Sequence, residues 1–444
     1  MLEHLSAWIY TQVATILVYR YKQAFYLRTK TELPIILVGG NVGKSTATLT
    51  LTQLFEPSYT VLSGTSQTQN LNTPLGLIAT LLGRKNLANK STGNNLLLVF
   101  LSLFQKLYPA PNTILIQEVG VDQQYGADRY LQIFDQVSMY IAVAIASEHA
   151  SGFSSTFDRA TLNKLHLPAW LESQLKNQSD PILANVYLEQ CKLIKQAKVT
   201  IFPRELGSIT NTLVRIEKGE YTEHTVVTSY QNTQLVANDY LVNEAYLLPI
   251  TFGVFVGLLE MLREEFSLPD KLSSLIQNIQ LPVSRFGFFD GTRFEKVIDS
   301  SYNSDPESLK TFLELLKQFS TAHPSIVVLG EMRELGQESL NAHINAANTL
   351  KNIPGIQVIL LGKEWKKMEE FWPPQTLYFE RVGQIITHLT ENPVTAKTWL
   401  WCKGSQNTIY LEELVKASIT PDKHDLVCRQ SNYYLTQKTP YLIP

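Results

Sequence analysis

Apolar positions along the chain fall into short continuous runs separated by segments with helical spacing. Ile35-Ile36-Leu37-Val38, Tyr59-Thr60-Val61-Leu62, Thr113 to Glu118, Met139 to Ala146 and Val199-Thr200-Ile201-Phe202 read as strands. Asn94 to Leu107 and Leu188 to Ile194 read as helices between them. Near-continuous apolar strands alternating with helices predict a parallel, doubly wound sheet, because such strands must be covered on both faces. From Thr210 to Ala237 the pattern turns to short alternating segments rich in Thr and Val, expected as antiparallel strands at the domain edge. Leu247 to Glu265 reads as a long apolar helix, and a boundary is expected near Leu281-Pro282-Val283. The remainder builds a second α/β unit. Strands are expected at Glu295 to Asp299, Ser325 to Gly330, Ile356 to Leu361 and Thr398 to Trp401. A helix from Ser308 to Phe319 turns Leu309, Phe312, Leu313, Leu315 and Leu316 inward.

The leading segment is of a different kind. Leu5, Trp8, Ile9, Val13, Ile16 and Leu17 recur at helical spacing, with Tyr19-Arg20-Tyr21-Lys22 closing the run. Ser6, Thr11, Gln12 and Thr15 interrupt it, and it is too short to span a bilayer. With no basic leader and no small-residue cleavage site, it does not read as a signal peptide. An amphipathic helix over residues 1–30 is expected, either packed on the domain or, through residues 5–22, in peripheral contact with a membrane or partner.

Composition narrows the class without choosing within it. The 444 residues suit two or three domains, and 44% hydrophobic and 18% charged residues are ordinary for a globular protein. A net charge of −2 with dispersed Lys and Arg argues against nucleic acid as a partner. Cys191, Cys402 and Cys428 have no metal-type spacing and fit a reduced, cytoplasmic setting.

The chemistry enters at Gly39-Gly40-Asn41-Val42-Gly43-Lys44-Ser45-Thr46, between a strand and a helix start. Glycines let backbone amides approach phosphate, a helix N-terminus favours the anion, Lys44 adds a point charge and Ser45 can reach Mg²⁺. The usual phosphate loop has four residues between its first glycine and Gly-Lys; here Gly39 leaves three and Gly40 two. Glu118 and His149 fall at or just beyond the carboxyl ends of two further strands, where ligands sit in such sheets, and offer oxygen and nitrogen donors to a metal near ATP phosphates.

In this company the chain resembles the Mur ligases, the ATP-dependent amide-forming enzymes of peptidoglycan synthesis. Gly40-Asn41-Val42-Gly43-Lys44-Ser45-Thr46 is similar to that family's shortened loop, Glu118-Val119-Gly120 to its glutamate-bearing strand end, and His149 to its metal-binding histidine before Gly152-Phe153. Asp299-Ser300-Ser301-Tyr302-Asn303-Ser304-Asp305-Pro306 resembles the Asp-Asp-Ser-Tyr-Asn-Ala-Asn-Pro signature of the branch that adds D-alanyl-D-alanine. Leu329-Gly330-Glu331-Met332-Arg333-Glu334-Leu335-Gly336, with His343 downstream, is similar to that branch's Leu-Gly-Asp-Met-x-Glu-Leu-Gly segment, and Lys403-Gly404-Ser405 with Leu411-Glu412 to its C-terminal loop.

The resemblance implies an α/β protein in three parts: a lead helix over 1–30, a central P-loop-type parallel-sheet ATPase domain over 31–282, and a Rossmann-like α/β domain over 283–444. It implies a ligase in which ATP phosphorylates a carboxylate and an amine displaces phosphate from the acyl phosphate. Lys44 and Mg²⁺ on Ser45, Glu118 and His149 would hold the phosphates within the Gly40–Thr46 cradle, which includes Asn41 and Val42. Arg293 would reach phosphate, Asp299 would accept from the ribose and Asn303 would lie near the nucleotide, so catalysis would require domain closure. The implied substrates are a muramyl peptide and D-alanyl-D-alanine, handled by a cytoplasmic monomer.

Two departures keep other readings open. About 30 residues precede the loop strand, too few for the separate domain that holds the uridine nucleotide in the bacterial ligases. In the superfamily, folylpolyglutamate synthetases and poly-glutamate ligases also consist of the two later domains alone. The family also has a lysine, carbamylated to hold a second Mg²⁺, where this chain has Gln190; Lys192 lies roughly 200° further round a helix. A ligase with a different acceptor, such as a glutamate-chain extender, and an ATP-binding scaffold with impaired ligation therefore stand beside the D-alanyl-D-alanine-adding enzyme.

Overall fold

The computed structural model describes residues 2–40, 43–65, 72–83, 92–121, 126–143, 175, 179, 181–194, 197–201, 210–218, 221–230, 233–237, 279–280, 282–333, 335–395, 397–405, 408–430 and 432–443. The chain divides into two compact units, Met1–Tyr240 with Ala245–Gln280 and Leu241–Glu244 with Leu281–Pro444. The long apolar helix expected from Leu247 to Glu265 lies outside the described residues.

The first unit runs α1 (Leu2–Thr29), β1 (Ile35–Gly39), α2 (Lys44–Phe55), β2 (Thr60–Ser63), α3 (Pro74–Leu81), α4 (Thr92–Ser102), β3 (Thr113–Glu118), α5 (Gly126–Ile133), β4 (Val137–Ala142), α6 (Pro181–Ile194) and β5 (Ala197–Ile201). Its sheet is wholly parallel, in the order β2-β3-β1-β4-β5, so the loop strand β1 sits at the centre with every residue buried. A separate antiparallel sheet follows from β6 (Thr210–Lys218), β7 (Tyr221–Tyr230) and β8 (Thr233–Ala237), as the alternating pattern requires. Helix α2 buries all its residues except Gln53, although it is rich in threonine. The buried hydroxyls of Thr48 and Thr52 donate to Lys44 O and Thr48 O at 2.8 Å each, so the helix satisfies its own polar groups.

Helix α1 departs from its expected stripe. Val13, Ala14, Leu17, Val18, Tyr21 and Phe25 pack into the first unit's core, but Leu5, Trp8 and Ile16 are exposed. At about 100° per residue the stripe through Val13, Leu17 and Tyr21 lies roughly opposite the one through Leu5, Trp8 and Ile16. Helix α4 also ends at Ser102, short of the expected Leu107. Arg20 on α1 donates to Leu103 O at 2.6 Å and Gln105 O at 2.9 Å, and Pro109 has no N–H to continue the ladder onto Gln105 O.

The second unit runs β9 (Gly287–Asp290), β10 (Lys296–Ser300), α7 (Pro306–Ser320), β11 (Ser325–Gly330), α8 (Ser339–Leu350), β12 (Ile356–Leu361), α9 (Lys363–Lys366), β13 (Leu377–Phe379), α10 (Val382–Glu391), β14 (Trp399–Lys403), α11 (Glu412–Ser418) and α12 (Asn432–Lys438). Its sheet order is β13-β12-β11-β14-β10-β9, parallel except for the edge strand β9, which runs antiparallel to β10 and has no counterpart in the sequence expectations. Asp305 starts α7 by accepting from the backbone N–H groups of Glu307 and Ser308, ahead of Pro306 at the first turn. The face expected to turn inward does so, and Phe312 and Phe319 pack against Trp401 and Trp399. Cys402 and Cys428 are free and buried, and burial pushes the Cys428 thiol up to about 12, so neither is a thiolate near neutral pH.

Buried His343 couples this unit's stability to pH. Met332 N–H donates to its Nε2 at 3.0 Å, so Nδ1 carries the proton and donates to Ser339 O at 2.7 Å. Burial holds its pKa below the usual 6.5, against the opposing effects of Ser339 and Glu364. A depressed pKa means the unfolded chain takes up the proton first as pH falls, so stability present above about pH 6.5 is lost on acidification. The thermal midpoint is expected to fall between about pH 7 and about pH 5, and to fall less steeply in His343→Gln. Equal slopes in the two proteins would refute this assignment.

Candidate functional site

The site in the first unit is built at the carboxyl end of its parallel sheet. Val38 on β1 is in register with Glu118 on β3, and Gly39 with Ala142 on β4, so three strand ends lie side by side. After β1 the backbone turns through Gly40 at φ 106° and Gly43 at φ 85°. Both values lie in the region that L side chains avoid, which is why glycine occupies these positions. Gly43 is the residue before α2, and no side chain caps the helix there. The first backbone bond of the ladder is Ala47 N–H to Gly43 O at 2.9 Å, so the amides of Lys44, Ser45 and Thr46 belong to the first turn, ahead of that ladder. Lys44, Ser45 and Thr46 are all buried, and Glu118 is buried one strand away.

This donor set suits a polyphosphate with a divalent cation. It combines an ammonium, two hydroxyls, a helix N-terminus and a buried carboxylate at one sheet edge. Asn41, Val42 and His149 lie outside the described residues. Among the described residues no three His, Cys, Asp or Glu side chains converge as a metal cluster.

Lys192 is unsuited to stand in for a carbamate-bearing lysine. Its ammonium binds Glu189 Oε1 at 2.7 Å and Asp128 Oδ1 at 3.2 Å. Burial alone would lower its pKa, but Glu189 and then Asp128 hold it above the usual value. Carbamylation needs the neutral amine, which these carboxylates disfavour. Glu189 is itself fully buried and accepts from Ala127 N–H at 3.2 Å, tying α6 to the start of α5.

In the second unit the parallel register brings the carboxyl ends of β10, β11 and β14 together, and with them three of the quoted segments. Lys403 Nζ donates to Asn303 O at 3.0 Å, and Ser405 Oγ donates to Asn303 Oδ1 at 3.4 Å. Gly330 allows a close approach here, because a Cβ added to it would lie 2.5 Å from Ile409 Cγ2 and 3.0 Å from Gly404 Cα. Glu331 accepts from Glu364 N–H at 2.9 Å, which caps α9.

Two expected nucleotide contacts take other partners. Asp299 is fully buried, with Ser284 Oγ on Oδ2 at 2.7 Å and both Ser301 N–H and Oγ on Oδ1 at 3.0 and 2.6 Å. Burial raises its pKa, against the lowering by Ser301 and Ser284. Through these three bonds it braces the loop after β10. Arg293 donates to Leu389 O at 3.1 Å and Thr390 Oγ1 at 3.3 Å, at the carboxyl end of α10. These bonds use two of the five guanidinium N–H donors, so others stay available to a phosphate.

The sequence reading missed Arg429. This buried guanidinium donates to Ser301 O at 3.3 Å, to Tyr302 O, and to Glu412 Oε2 at 3.1 Å, and it stacks over the Tyr302 ring. It clamps the segment after β10 from more than a hundred residues away in the chain. Nothing local to Cys428-Arg429 signals this.

No family model matches the chain. Over 98 residues it is 32% identical to the UDP-N-acetylmuramoyl-tripeptide–D-alanyl-D-alanine ligase of Rickettsia prowazekii (strain Madrid E), a match spanning 22% of this chain and 22% of that relative. The fold is similar to that of MurF ligase from Thermotoga maritima in complex with ADP, at 13% identity and a TM-score of 0.59, covering 90% of this chain and 83% of the other. It is equally similar to MurF from Acinetobacter baumannii, at 16% identity and a TM-score of 0.59, covering 92% and 79%. An FPGS from L. casei matches with a TM-score of 0.50 and 13% identity, covering 88% of this chain and 92% of its own.

Proposed function

We propose that this chain, MurF-like and with the Mur ligase fold, is an ATP-dependent carboxylate–amine ligase that adds D-alanyl-D-alanine to a muramyl peptide in the cytoplasm. The observation that carries the ATP half is the strand–loop–helix at Gly39–Thr46 with buried Glu118 in register one strand away. The acceptor half is supported by the meeting of the 299–306, 329–336 and 403–405 segments at one end of the second sheet.

In this reading Lys44 and the first-turn amides of α2 hold the β- and γ-phosphates, and Gly40, Asn41, Val42, Gly43 and Thr46 line the cradle. Ser45 and Glu118, with His149, would hold Mg²⁺, which when bound neutralises phosphate charge. The substrate carboxylate takes the γ-phosphoryl group and ADP leaves. The amine then forms the amide bond, and phosphate departs with the acyl oxygen. In the second unit Asn303 is held by Lys403 and Ser405, while Asp299 and Arg429 set the shape of its loop.

Phosphate release from ATP is expected only when a muramyl tripeptide and D-alanyl-D-alanine are both present. Release with a folyl or glutamyl substrate and glutamate would transfer the proposal to a glutamate-chain extender. Tight ATP binding with no turnover on either panel would support the scaffold reading, which Lys192's engagement with Glu189 and Asp128 favours.

A further inference from the structure

Helix α1 carries two apolar faces on opposite sides, and only one is used by the core. The outer face presents Leu5, Trp8, Ile16 and Tyr19 at 52%, 60%, 46% and 63% exposure. Their positions fall within about 80° of one another around the helix, on the side opposite the buried face. The neighbouring α4 and the segment after it extend this surface with Leu97, Phe100, Phe104 and Tyr108, also more than half exposed. The two parts are joined: Arg20 holds Leu103 O and Gln105 O, and Arg28 holds Pro109 O at 2.9 Å. Scattered exposed hydrophobics are ordinary on a soluble protein, but eight large ones on two segments tied together by these bonds mark an interaction site.

Charge decides the occupant. Residues 1–32 and 92–112 contain Arg20, Lys22, Arg28, Lys30 and Lys106 against two acids, Glu3 and Glu32. Arg20 and Arg28 donate to backbone carbonyls, so no carboxylate cancels their charge, whereas Lys22 is paired with Asp135 at 2.5 Å. Lys30 and Lys106 are exposed. Aromatic rings of mixed polarity beside uncompensated cations match the boundary between acyl chains and anionic headgroups. No described helix is long and apolar enough to cross a membrane, and α1 is fastened to the core along its other side.

We propose that the outer face of α1, continued by α4 and residues 103–108, docks the protein on an anionic phospholipid surface, lying in the interface rather than across it. The proposal does not rest on the ligase reading, because binding is measured without ATP or substrate.

The test is co-sedimentation of the full chain with vesicles of phosphatidylglycerol and phosphatidylcholine, compared with phosphatidylcholine alone. Wild type should pellet with the mixed vesicles and far less with the neutral ones. Trp8→Ser combined with Phe104→Ser should lower the bound-to-free ratio by about tenfold or more, through lost apolar insertion. Lys30→Gln combined with Lys106→Gln should lower it by a similar factor on mixed vesicles only. All four side chains are exposed, so thermal midpoints should stay near wild type, which separates lost docking from lost folding. Wild type remaining in solution with both vesicle types would overturn the proposal. So would unchanged binding by the Trp8/Phe104 variant, or a wild-type dimer that this variant splits while vesicles capture neither form.

Discussion

Lys44→Ala is expected to abolish ATP-dependent turnover while leaving the fold intact. The side chain stands at the first turn of α2, directly after a left-handed Gly43, where the helix start and the strand ends converge. Phosphoryl transfer depends on neutralising charge that grows on the phosphate oxygens, and the loop lysine supplies a positioned cation there. Losing such a contact costs on the order of 10³-fold or more in kcat. The measurement is phosphate release at saturating substrates, with nucleotide affinity read separately by calorimetry. Turnover within about tenfold of wild type would mean that Gly39–Thr46 is not the phosphate site. Lys44→Arg should recover little, because a planar guanidinium cannot take the place of a compact ammonium in a closely packed first turn.

Glu412→Gln is expected to destabilise the second unit by about 3–5 kcal/mol. Glu412 is fully buried and faces two cations, with Arg429 Nη1 3.1 Å from Oε2 and Lys438 Nζ 3.0 Å from Oε1. The amide keeps the shape and removes the charge, leaving Arg429 and Lys438 buried with only Glu413, 2.6 Å from Lys438, to offset them. Urea unfolding read by tryptophan fluorescence will report this, since Trp365, Trp399 and Trp401 are buried in the unit. Glu413→Gln should cost less, because Glu413 is partly exposed and meets one cation. A loss under about 1 kcal/mol for Glu412→Gln would show that water or relaxation compensates the pair. Arg429 also holds Ser301 and Tyr302, so the variant is expected to loosen the loop after β10 as well.

Much of the architecture was legible because it depends on local periodicity. Ile35–Val38 is a continuous apolar run, so it could only be a strand covered on both faces, and it became the sheet's centre. The helix read from Ser308 to Phe319 is α7, which starts two residues earlier at Pro306 behind the Asp305 cap. One helix end was misjudged where a distant side chain intervened, and one strand was missed. The α4 pattern continues to Leu107, but Arg20 from α1 takes the carbonyls beyond Ser102. Edge strand β9 is short and half-buried, with no periodic signal long enough to read.

The chemistry divides along the same line. The sequence by itself determined the strand–loop–helix and its glycines, because the residues that make it are consecutive and each is dictated by local backbone geometry or charge. It also determined that a carboxylate ends the strand at Glu118. Tertiary structure alone decided that β3 lies beside β1, which puts that carboxylate next to Lys44's loop; strand order is a choice among topologies that no local pattern fixes. It decided that Asp299 is enclosed by Ser284 and Ser301, and that Arg429 reaches the same loop from the C-terminal segment. It also decided which apolar stripe of α1 faces the core. Periodicity can count two such stripes on a helix, but only packing against α3 and α5 can choose one of them and leave the other to solvent.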